Sequence, residues 1–258
     1  MGNLRLDFDF FLQYLFSPPS IVWVGLGVTI LVATIAMLIG MALGFLIGLA
    51  RLSKNPFLSN WARLYVWVWR GTPLLVQLVL AYTGVATAGI YMWPDIHIFG
   101  LTISGALQAA IITLALNEAA YMAEIVRAAI GAIEKGQFDA ARAVGMRPWQ
   151  AMRWIILPQA LRIIVPPLGS EITLMIKSTS LLAVIGIREF FGTLQSINAA
   201  TFKTFELFAV AAVWYLVLTT LVSSVQRVIE MRLARYDNQV LDDEPAMPKR
   251  KLLQMRRS

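Results

Sequence analysis

The sequence predicts an all-α integral membrane protein: a helical bundle of about five transmembrane helices, with one short helix outside the bilayer. Composition is the first observation behind this prediction, because hydrophobic residues make up 58% of the 258 residues and charged residues only 14%. Ordinary soluble domains carry about 25% charged residues. The second observation is that the apolar residues fall in long runs without charges, as helices that cross a bilayer require.

The long apolar runs place the individual spans. Residues 21–50 hold no charge, although a helix needs only about 20 apolar residues to cross the hydrocarbon. We therefore expect this first helix to be tilted or to protrude. The other spans are predicted around the uncharged run 71–94, in a helix that begins near Leu58; from near Phe99 onward; at about 163–187; and at 207–226.

Two further segments flank the transmembrane domain, which we expect at residues 21–235. Residues 1–20 are predicted to form an external interfacial segment, because the apolar stretch 8–16 ends in Ser17-Pro18-Pro19. Residues 236–258 are polar and are predicted to form a disordered cytoplasmic tail. We expect the basic end of this tail to remain solvated or to touch anionic membrane lipid.

A charged stretch between two apolar spans, residues 136–158, reads GQFDAARAVGMRPWQAMRWIILP. Asp139 is expected in the first turn of a short helix, where a carboxylate interacts favourably with the helix dipole. Gly145 stands where a left-handed helix terminus needs a residue without a Cβ, and Pro148 suits the first position of the next helix. The pattern predicts a short helix, a sharp corner and a second helix that returns to the bilayer. We expect the protein to meet a soluble partner here.

Several ordered motifs resemble those of ABC-importer permeases for polar amino acids, over roughly residues 20–235. The cytoplasmic EAA loop of that family is matched with one departure, because Asp139 replaces the usual Glu and shortens the reach of the carboxylate. In chain order the motifs are Arg70-Gly71-Thr72-Pro73-Leu74-Leu75-Val76-Gln77; Ala120-Tyr121 with Glu124 and Arg127; Asp139-Ala140-Ala141, Gly145 and Ile155-Ile156-Leu157-Pro158; Pro158-Gln159-Ala160; and Lys177-Ser178-Thr179-Ser180-Leu181.

The resemblance implies a type I ABC importer permease that translocates a polar amino acid, and Glu118 and Glu171 favour a cationic one. It also implies two ATPase subunits that bind ATP and Mg, a second permease, identical or homologous, and a periplasmic or surface solute-binding protein. No cofactor is expected in this chain itself. Coupling to the ATPase is expected through Gly136, Gln137, Phe138, Asp139, Ala140, Ala141, Arg142 and Gly145.

Polar residues within the predicted spans are the candidates for a translocation path. They are Arg70, Thr72, Gln77, Glu118, Tyr121, Glu171, Lys177, Ser178, Thr179 and Ser180. Charges at membrane depth are costly unless they face a partner or a polar cavity. Glu118 and Glu171 fit path lining and structural salt bridging equally well, whereas Lys177 favours a structural or gating bond. The sequence Gly71-Thr72-Pro73 predicts a broken helix, which is tolerated inside protein or beside water; a simple kink is an equal alternative there.

The sequence lacks the residues of most catalytic and metal sites. It contains no cysteine and a single histidine, His97, which excludes thiol catalysis and most metal sites built from histidine. It also lacks the G-x-x-x-x-G-K-[ST] phosphate loop. We therefore predict no catalytic residue, no metal site and no ATP site in this chain, so that energy for transport has to come from another one.

Other functions fit the sequence less well. An ion-coupled secondary transporter would use Glu118, Glu124 and Lys177 as a relay, but no inverted repeat is visible. A non-transporting membrane scaffold would use the charged loop only to recruit a soluble partner. The pattern Ala140-Ala141-x-x-x-Gly145 also suits a DNA-binding helix-turn-helix. It lies so close to two spans that a duplex could hardly approach, and no nucleic-acid partner is expected.

Basic residues predict the orientation, because they are enriched on the cytoplasmic side. They concentrate in the first loop, around the EAA-like segment and in the C-terminal tail, whereas the opposite side holds only Arg5, Arg188 and Lys203. We therefore expect a multi-pass protein of the bacterial inner (plasma) membrane, with its N-terminus outside and its C-terminus in the cytoplasm.

Overall fold

The structure of the protein is a computed structural model that describes residues 6–98 and 100–242, with the backbone alone described for Leu101 and residues 233–242. Its helices are α1 (Phe8–Phe16), α2 (Ser20–Arg51), α3 (Pro56–Gly71), α4 (Leu74–Val79), α5 (Val85–Thr87), α6 (Gly105–Gly131), α7 (Lys135–Ala143), α8 (Pro148–Ala151), α9 (Leu157–Ser178), α10 (Phe190–Thr201) and α11 (Thr204–Asp242). π-helical turns at Leu80–Gly84 and Met152–Ile156 join α4 to α5 and α8 to α9, and a 3₁₀ helix, Thr179–Ile185, continues α9.

Within the described residues, four helical segments are long and apolar enough to cross a membrane: α2, α6, Pro148–Ile185 and Thr204–Arg232 in α11. A fifth span arises if α3 and the segment Leu74–Thr87 are counted together, although they are bent by 101° at their junction. This architecture agrees with the predicted all-α bundle of about five spans.

The third span begins at Gly105, later than the predicted start near Phe99. The intervening residues form an antiparallel hairpin of β1 (Ile96–Ile98) and β2 (Leu101–Ile103) instead. The side chain of Ser104 then caps α6, because its hydroxyl oxygen accepts a hydrogen bond from the Leu107 backbone N–H at 3.3 Å. The apolar strand residues resemble the start of a span in composition, so periodicity alone did not separate the two.

The other end of the chain also differs from the expectation. Helix α11 includes residues 236–242, where the sequence predicts disorder, and the rest of the predicted tail, 243–258, lies outside the described residues. Between the fourth and fifth spans the structure adds α10, which the sequence analysis did not predict. At 12 residues, α10 is too short to cross a bilayer.

Helices α2 and α6 run parallel and pack through a stripe of small residues. A Cβ added at Gly40 would lie 2.6 Å from Cβ and Cγ of Glu118, and one at Gly48 would lie 2.8 Å from Cβ of Val126. At Gly44 the added Cβ would strike Met122 and lie 2.7 Å from the Ala119 carbonyl oxygen. Glycine therefore lets the two backbones approach closely, and α6, 61% buried over its most apolar window, becomes the centre of the bundle.

A buried carboxylate joins three helices at the end of the bundle where α2 begins. Glu189 is 0% exposed and accepts hydrogen bonds from the Thr29 hydroxyl at 3.0 Å, the Tyr215 hydroxyl at 3.1 Å and the Gly192 N–H at 2.7 Å. It caps α10 and ties that helix to α2 and α11, since a buried carboxylate needs such partners. The sequence analysis did not identify this residue.

Helix α1 is fixed to the start of α11 by polar contacts. The Lys203 ammonium lies 2.8 Å from a carboxylate oxygen of Asp7, and its hydrogen bond lowers the pKa of that carboxyl below the usual range. The Asp7 backbone N–H donates to Glu206 at 2.8 Å. The amino-terminal segment therefore lies at the same end of the molecule as α10, opposite the end that carries α7.

We predict that Gly44→Ala lowers the melting temperature of the detergent-purified protein. The added methyl group would meet backbone of α6, which cannot yield as a flexible side chain can, and overpacking of this kind costs roughly 1–3 kcal/mol. The control is Gly27→Ala on the same helix, where an added Cβ has nothing within 4 Å. Equal melting temperatures for the two variants would contradict the proposed packing.

Candidate functional site

A sharp break in the chain between α3 and α4 begins the site. Thr72 is extended, with φ −118° and ψ 143°, and Pro73 follows with φ −63° and ψ 134°. Proline favours this geometry because its ring excludes helical conformations at the residue before it and it has no N–H to donate. The sequence prediction of an interrupted helix at Gly71-Thr72-Pro73 agrees with this finding.

Gln77 satisfies the backbone groups that the break leaves free. Its Nε2 donates to the carbonyl oxygens of Trp69 at 2.8 Å and Thr72 at 3.1 Å, and its Oε1 accepts a hydrogen bond from Asn117 at 2.8 Å. Gln77 is only 9% exposed. The structure thus places this predicted path residue behind the wall of the site, where it braces the break. Asn117, its partner on α6, was missed by sequence reasoning.

A cavity of about 470 Å³ opens beside the break, between α3, α6 and α9. Six of the predicted path residues line it, and they come from segments far apart in the sequence. The lining consists of Arg70, Gly71, Thr72, Pro73, Leu74, Leu114, Asn117, Glu118, Tyr121, Glu171, Leu174, Met175, Ser178 and Leu181. The fold therefore unites residues that the sequence analysis could only name one at a time.

Two acidic side chains in this cavity have oxygen atoms without a protein partner. Within the described part of the chain, Oε1 of Glu118 and Oε2 of Glu171 are buried and accept no hydrogen bond. Glu118 is only 4% exposed. A buried carboxylate oxygen without a donor is costly, and a group that donates hydrogen bonds or carries positive charge would remove this cost.

The remaining predicted path residues do not line the cavity. The Thr179 hydroxyl is buried and donates to the Ile176 carbonyl oxygen at 2.7 Å, and the Ser180 hydroxyl donates to the Lys177 carbonyl oxygen at 2.7 Å. Both hydroxyls thus serve the transition from α9 to the 3₁₀ helix. The Lys177 side chain is exposed, and unlike Glu171 it does not line the cavity.

A cluster of charges lies on α6 beyond the cavity, toward α7. Glu124 pairs with Arg127 one turn later and also with Arg51 at the end of α2. The guanidinium of Arg70 lies 3.8 Å from the same carboxylate and 5.1 Å from the centre of the Tyr121 ring. Sequence spacing revealed only the local pair, because Arg51 and Arg70 reach Glu124 through the tertiary fold.

The short helix α7 ends as the sequence predicted. Gly145 has φ +78°, its N–H donates to the Arg142 carbonyl oxygen at 2.9 Å, and the Met146 N–H donates to the Ala141 carbonyl oxygen at 3.0 Å. These two bonds form a Schellman motif, and Pro148 opens α8 as its first residue. The corner is therefore fixed by backbone bonds around a glycine in the left-handed region.

The start of α7 differs from the prediction. The helix begins at Lys135 after the N-cap residue Glu134, whose side chain forms no capping hydrogen bond. Asp139 consequently lies beyond the first turn, where the helix dipole has little effect. Its carboxylate oxygen lies 3.9 Å from the Arg142 guanidinium. The expected role of Asp139 at the helix start is thus wrong.

The predicted coupling residues divide between two faces of α7. Ala141 is 1% exposed, and Phe138 packs against a buried apolar cluster that α6, the π-helical turn Met152–Ile156 and α9 build together. The other predicted coupling residues are exposed: Gly136, Gln137, Asp139, Ala140, Arg142 and Gly145. One face therefore holds α7 to the bundle, and the other is free to contact a soluble protein.

Comparison with known proteins identifies the family. Residues 36–235 match the model of the binding-protein-dependent transport system inner membrane component, which is well over half of the chain. The chain therefore belongs to this family. It is a permease subunit of an ABC importer, a non-catalytic membrane component, and the alternatives of an ion-coupled transporter or a scaffold are set aside.

Characterised relatives cover most of the chain. It is 38% identical over 244 residues to the arginine transport system permease protein ArgU of Corynebacterium glutamicum, covering 93% of this chain and 76% of the relative. It is 35% identical to the glutamine transport system permease protein GlnP of Escherichia coli (81% of this chain, 91% of the relative). It is 40% identical to the nopaline transport system permease protein NocM of Agrobacterium fabrum (76% and 80%).

Solved structures share the fold. The chain matches the "Crystal structure of an amino acid ABC transporter with histidines" with a TM-score of 0.76 and 35% identity, over 89% of this chain and 100% of that chain. An inward-facing MetNI methionine ABC transporter matches with a TM-score of 0.62 and 21% identity, over 82% and 94%, and this likeness concerns the fold alone. The type I importer permease fold and an inner-membrane location follow from these comparisons.

A permease of this family works with ATPase subunits, a substrate-binding protein and a second permease. The family description itself names the dependence on a binding protein.

We predict that Gln77→Leu lowers the melting temperature of the assembled importer. The substitution removes the side-chain donor to the Thr72 carbonyl oxygen and the shorter of two bonds to the Trp69 carbonyl oxygen, to which Asn117 still donates at 3.3 Å. It also removes the Gln77 oxygen that accepts from Asn117, and an unsatisfied buried polar group costs about 1–3 kcal/mol. Gln195→Leu on α10 is the matched control, because Gln195 is exposed. If the Gln77 variant melts at the wild-type temperature, then Gln77 does not brace the break.

Proposed function

We propose that this permease carries a cationic amino acid and that Glu118 and Glu171 receive its positively charged group. The observation behind the proposal is the pair of buried, unpartnered carboxylate oxygens in one cavity. Each acid lies on a different helix, α6 or α9, so a cargo between them is held from two sides. An ammonium or guanidinium group supplies the hydrogen-bond donors and the charge that these oxygens lack.

The size of the cavity and the names of relatives support this proposal. A volume of about 470 Å³ lies within the range of about 300–1,000 Å³ that small-molecule sites span. Relatives are named for arginine, glutamine and nopaline transport, and one solved neighbour is described with histidines. Glutamine is neutral, so the second candidate cargo is a neutral polar amino acid. The two acids favour the cationic one.

The packing of α7 supports a route for coupling. We propose that its exposed face, with Gly136, Gln137, Asp139, Ala140 and Arg142, docks on an ATPase subunit that binds ATP and Mg. Its buried face, through Phe138, packs against the apolar cluster to which α6 and α9 both contribute. These two helices carry Glu118 and Glu171, so a movement of α7 is transmitted to the cavity. Two ATPases and a second permease, identical or homologous, complete the importer.

The proposed orientation rests on the basic residues. Arg51, Arg127 and the exposed Arg142 lie toward the end of the molecule that carries α7. We propose that this end faces the cytoplasm, in line with the charge distribution of membrane proteins. The N-terminus, α10 and the hairpin then face outward, where a solute-binding protein delivers cargo to the permease.

We predict that Glu171→Gln weakens arginine uptake by proteoliposomes that hold the complete importer and its binding protein. Loss of a hydrogen bond to a charged group costs about 1.5–3 kcal/mol, or roughly 10- to 150-fold in apparent affinity. Basal ATP hydrolysis should remain near normal, because Glu171 lines the cavity and is not on α7, the helix that we propose contacts the ATPase. The control is Glu134→Gln, which removes an exposed acid with no side-chain capping bond.

The same experiment separates the alternatives. If glutamine uptake exceeds arginine uptake in the wild-type importer and neither depends on Glu171, the cationic assignment is wrong. A Glu171→Gln complex that assembles poorly or melts early has lost a structural contact rather than a cargo contact. Wild-type uptake together with wild-type stability would refute both roles.

We predict that Gly145→Val reduces cargo-stimulated ATP hydrolysis while leaving the permease in the membrane. A left-handed backbone costs a residue with a Cβ roughly 1–2 kcal/mol, so the corner after α7 would be distorted. Gly131→Val is the control, because an added Cβ meets nothing within 4 Å at either position and only Gly145 has a positive φ. Undiminished stimulation in the Gly145 variant would count against coupling through this corner.

A further inference from the structure

A second cavity of about 470 Å³ lies next to the acidic one, on the side toward the charged ends of α2 and α6. It is lined by Arg51, Arg63, Val66, Trp67, Arg70, Gly71, Tyr121 and Glu124. Arg70, Gly71 and Tyr121 line both cavities. Along α6, the lining of the first cavity ends at Tyr121 and that of the second begins there, so these residues form a partition between the two spaces.

The two cavities carry opposite charge. The first contains Glu118 and Glu171 on the far side of the partition. The second contains Arg51 and Arg63 with one acid, Glu124, whose carboxylate is also paired with Arg127 from outside the cavity lining. Arg70 stands at the boundary. A cation that leaves the first cavity toward the α7 end therefore passes from an acidic to a basic surface, and Arg70 is the first like charge that it meets.

The contacts of Arg70 fix it at this boundary without enclosing it. Its guanidinium lies 5.1 Å from the centre of the Tyr121 ring, in the range of a cation–π interaction, and 3.8 Å from Glu124. The next residue is Gly71, around whose Cβ position there is nothing within 4 Å. Arg70 thus lies in the last turn of α3 beside an open space, directly before the break, and its long side chain has room to move.

We propose that Arg70, seated on the Tyr121 ring, is the charge barrier that closes the cargo cavity toward the cytoplasm. This inference rests on the proposed function, because it takes the acidic cavity to be part of the cargo path. The guanidinium blocks the passage sterically and repels cations electrostatically, an effect that is strong where solvent is limited. Opening requires the guanidinium to leave the Tyr121 ring, and Glu124, 3.8 Å away, is the acid toward which it moves.

The barrier is testable by thiol labelling without any cargo, because the chain contains no cysteine. A single Ser178→Cys places a thiol in the first cavity, and Ser178 does not line the second. The assembled importer in inside-out vesicles is exposed, without ATP, to the impermeant cationic reagent trimethylammonioethyl methanethiosulfonate or to the anionic sulfonatoethyl methanethiosulfonate. The labelling rate of this chain is then compared between variants.

We expect Arg70→Ala to accelerate labelling by the cationic reagent on the order of tenfold or more, and labelling by the anionic reagent less. Arg70→Gln, which keeps a polar side chain of intermediate length, should give the same direction, whereas Arg70→Lys should retain most of the cation selectivity. Arg188→Ala is the control for a lost cation. Arg188 is exposed and lines neither cavity, so its removal should leave the rate unchanged.

Equal cationic labelling rates in the wild type and in the Arg70→Ala and Arg70→Gln variants would overturn the barrier. So would an acceleration that is identical for both reagents, because that result indicates a general loosening of the fold. The outcome is independent of cargo identity. Faster cationic labelling in the Arg70 variants, together with arginine uptake that does not depend on Glu171, would retain the barrier and reject the cationic assignment.

Discussion

The close packing of α2 on α6 is the contact on which the rest of the molecule depends. Gly40, Gly44 and Gly48 let α2 lie on α6 at a distance that any Cβ would prevent. Close packing of this kind is important in a bilayer, because lipid is itself apolar and burial of apolar surface does not drive helices together. The same contact positions the site, because Cβ and Cγ of Glu118 lie directly over Gly40. The glycine stripe thus fixes the position of Glu118 in the cavity, so that a change in helix packing also changes the candidate site.

The break between α3 and α4 and the neighbouring cavity differ in whether their buried polar groups have hydrogen-bond partners. The break between α3 and α4 frees backbone carbonyl groups, and Gln77 and Asn117 satisfy them. In the described part of the chain, no protein group donates a hydrogen bond to Oε1 of Glu118 or to Oε2 of Glu171. Within the described residues, Nε of Arg51 and Nε1 of Trp214 are also buried without a hydrogen-bond partner. The two carboxylate oxygens differ from these nitrogens because both belong to residues that line one cavity, and this is the ground for the proposed cargo site.

The sequence predicted the spans, the corner at Gly145 and the break at Gly71-Thr72-Pro73, because hydropathy, a left-handed terminus and proline act locally. It did not predict that Gln77 is structural, that Lys177 lies outside the cavity, or that Arg51 and Arg70 share Glu124. These facts depend on contacts between segments distant in the chain. The hairpin at Ile96–Ile103 and α10 were missed because short amphipathic or apolar segments have no distinctive period. Only the tertiary structure shows that Gly40, Gly44 and Gly48 pack against α6.

The central claim is that the space between Glu118 and Glu171 holds a positively charged cargo. A structure of the assembled importer determined with bound arginine tests it most directly. The account predicts density for the guanidinium or ammonium group within hydrogen-bond distance of both carboxylates, on the outer side of Arg70. Arginine bound elsewhere in the permease, with these two acids paired to protein side chains of the second permease instead, would contradict the account.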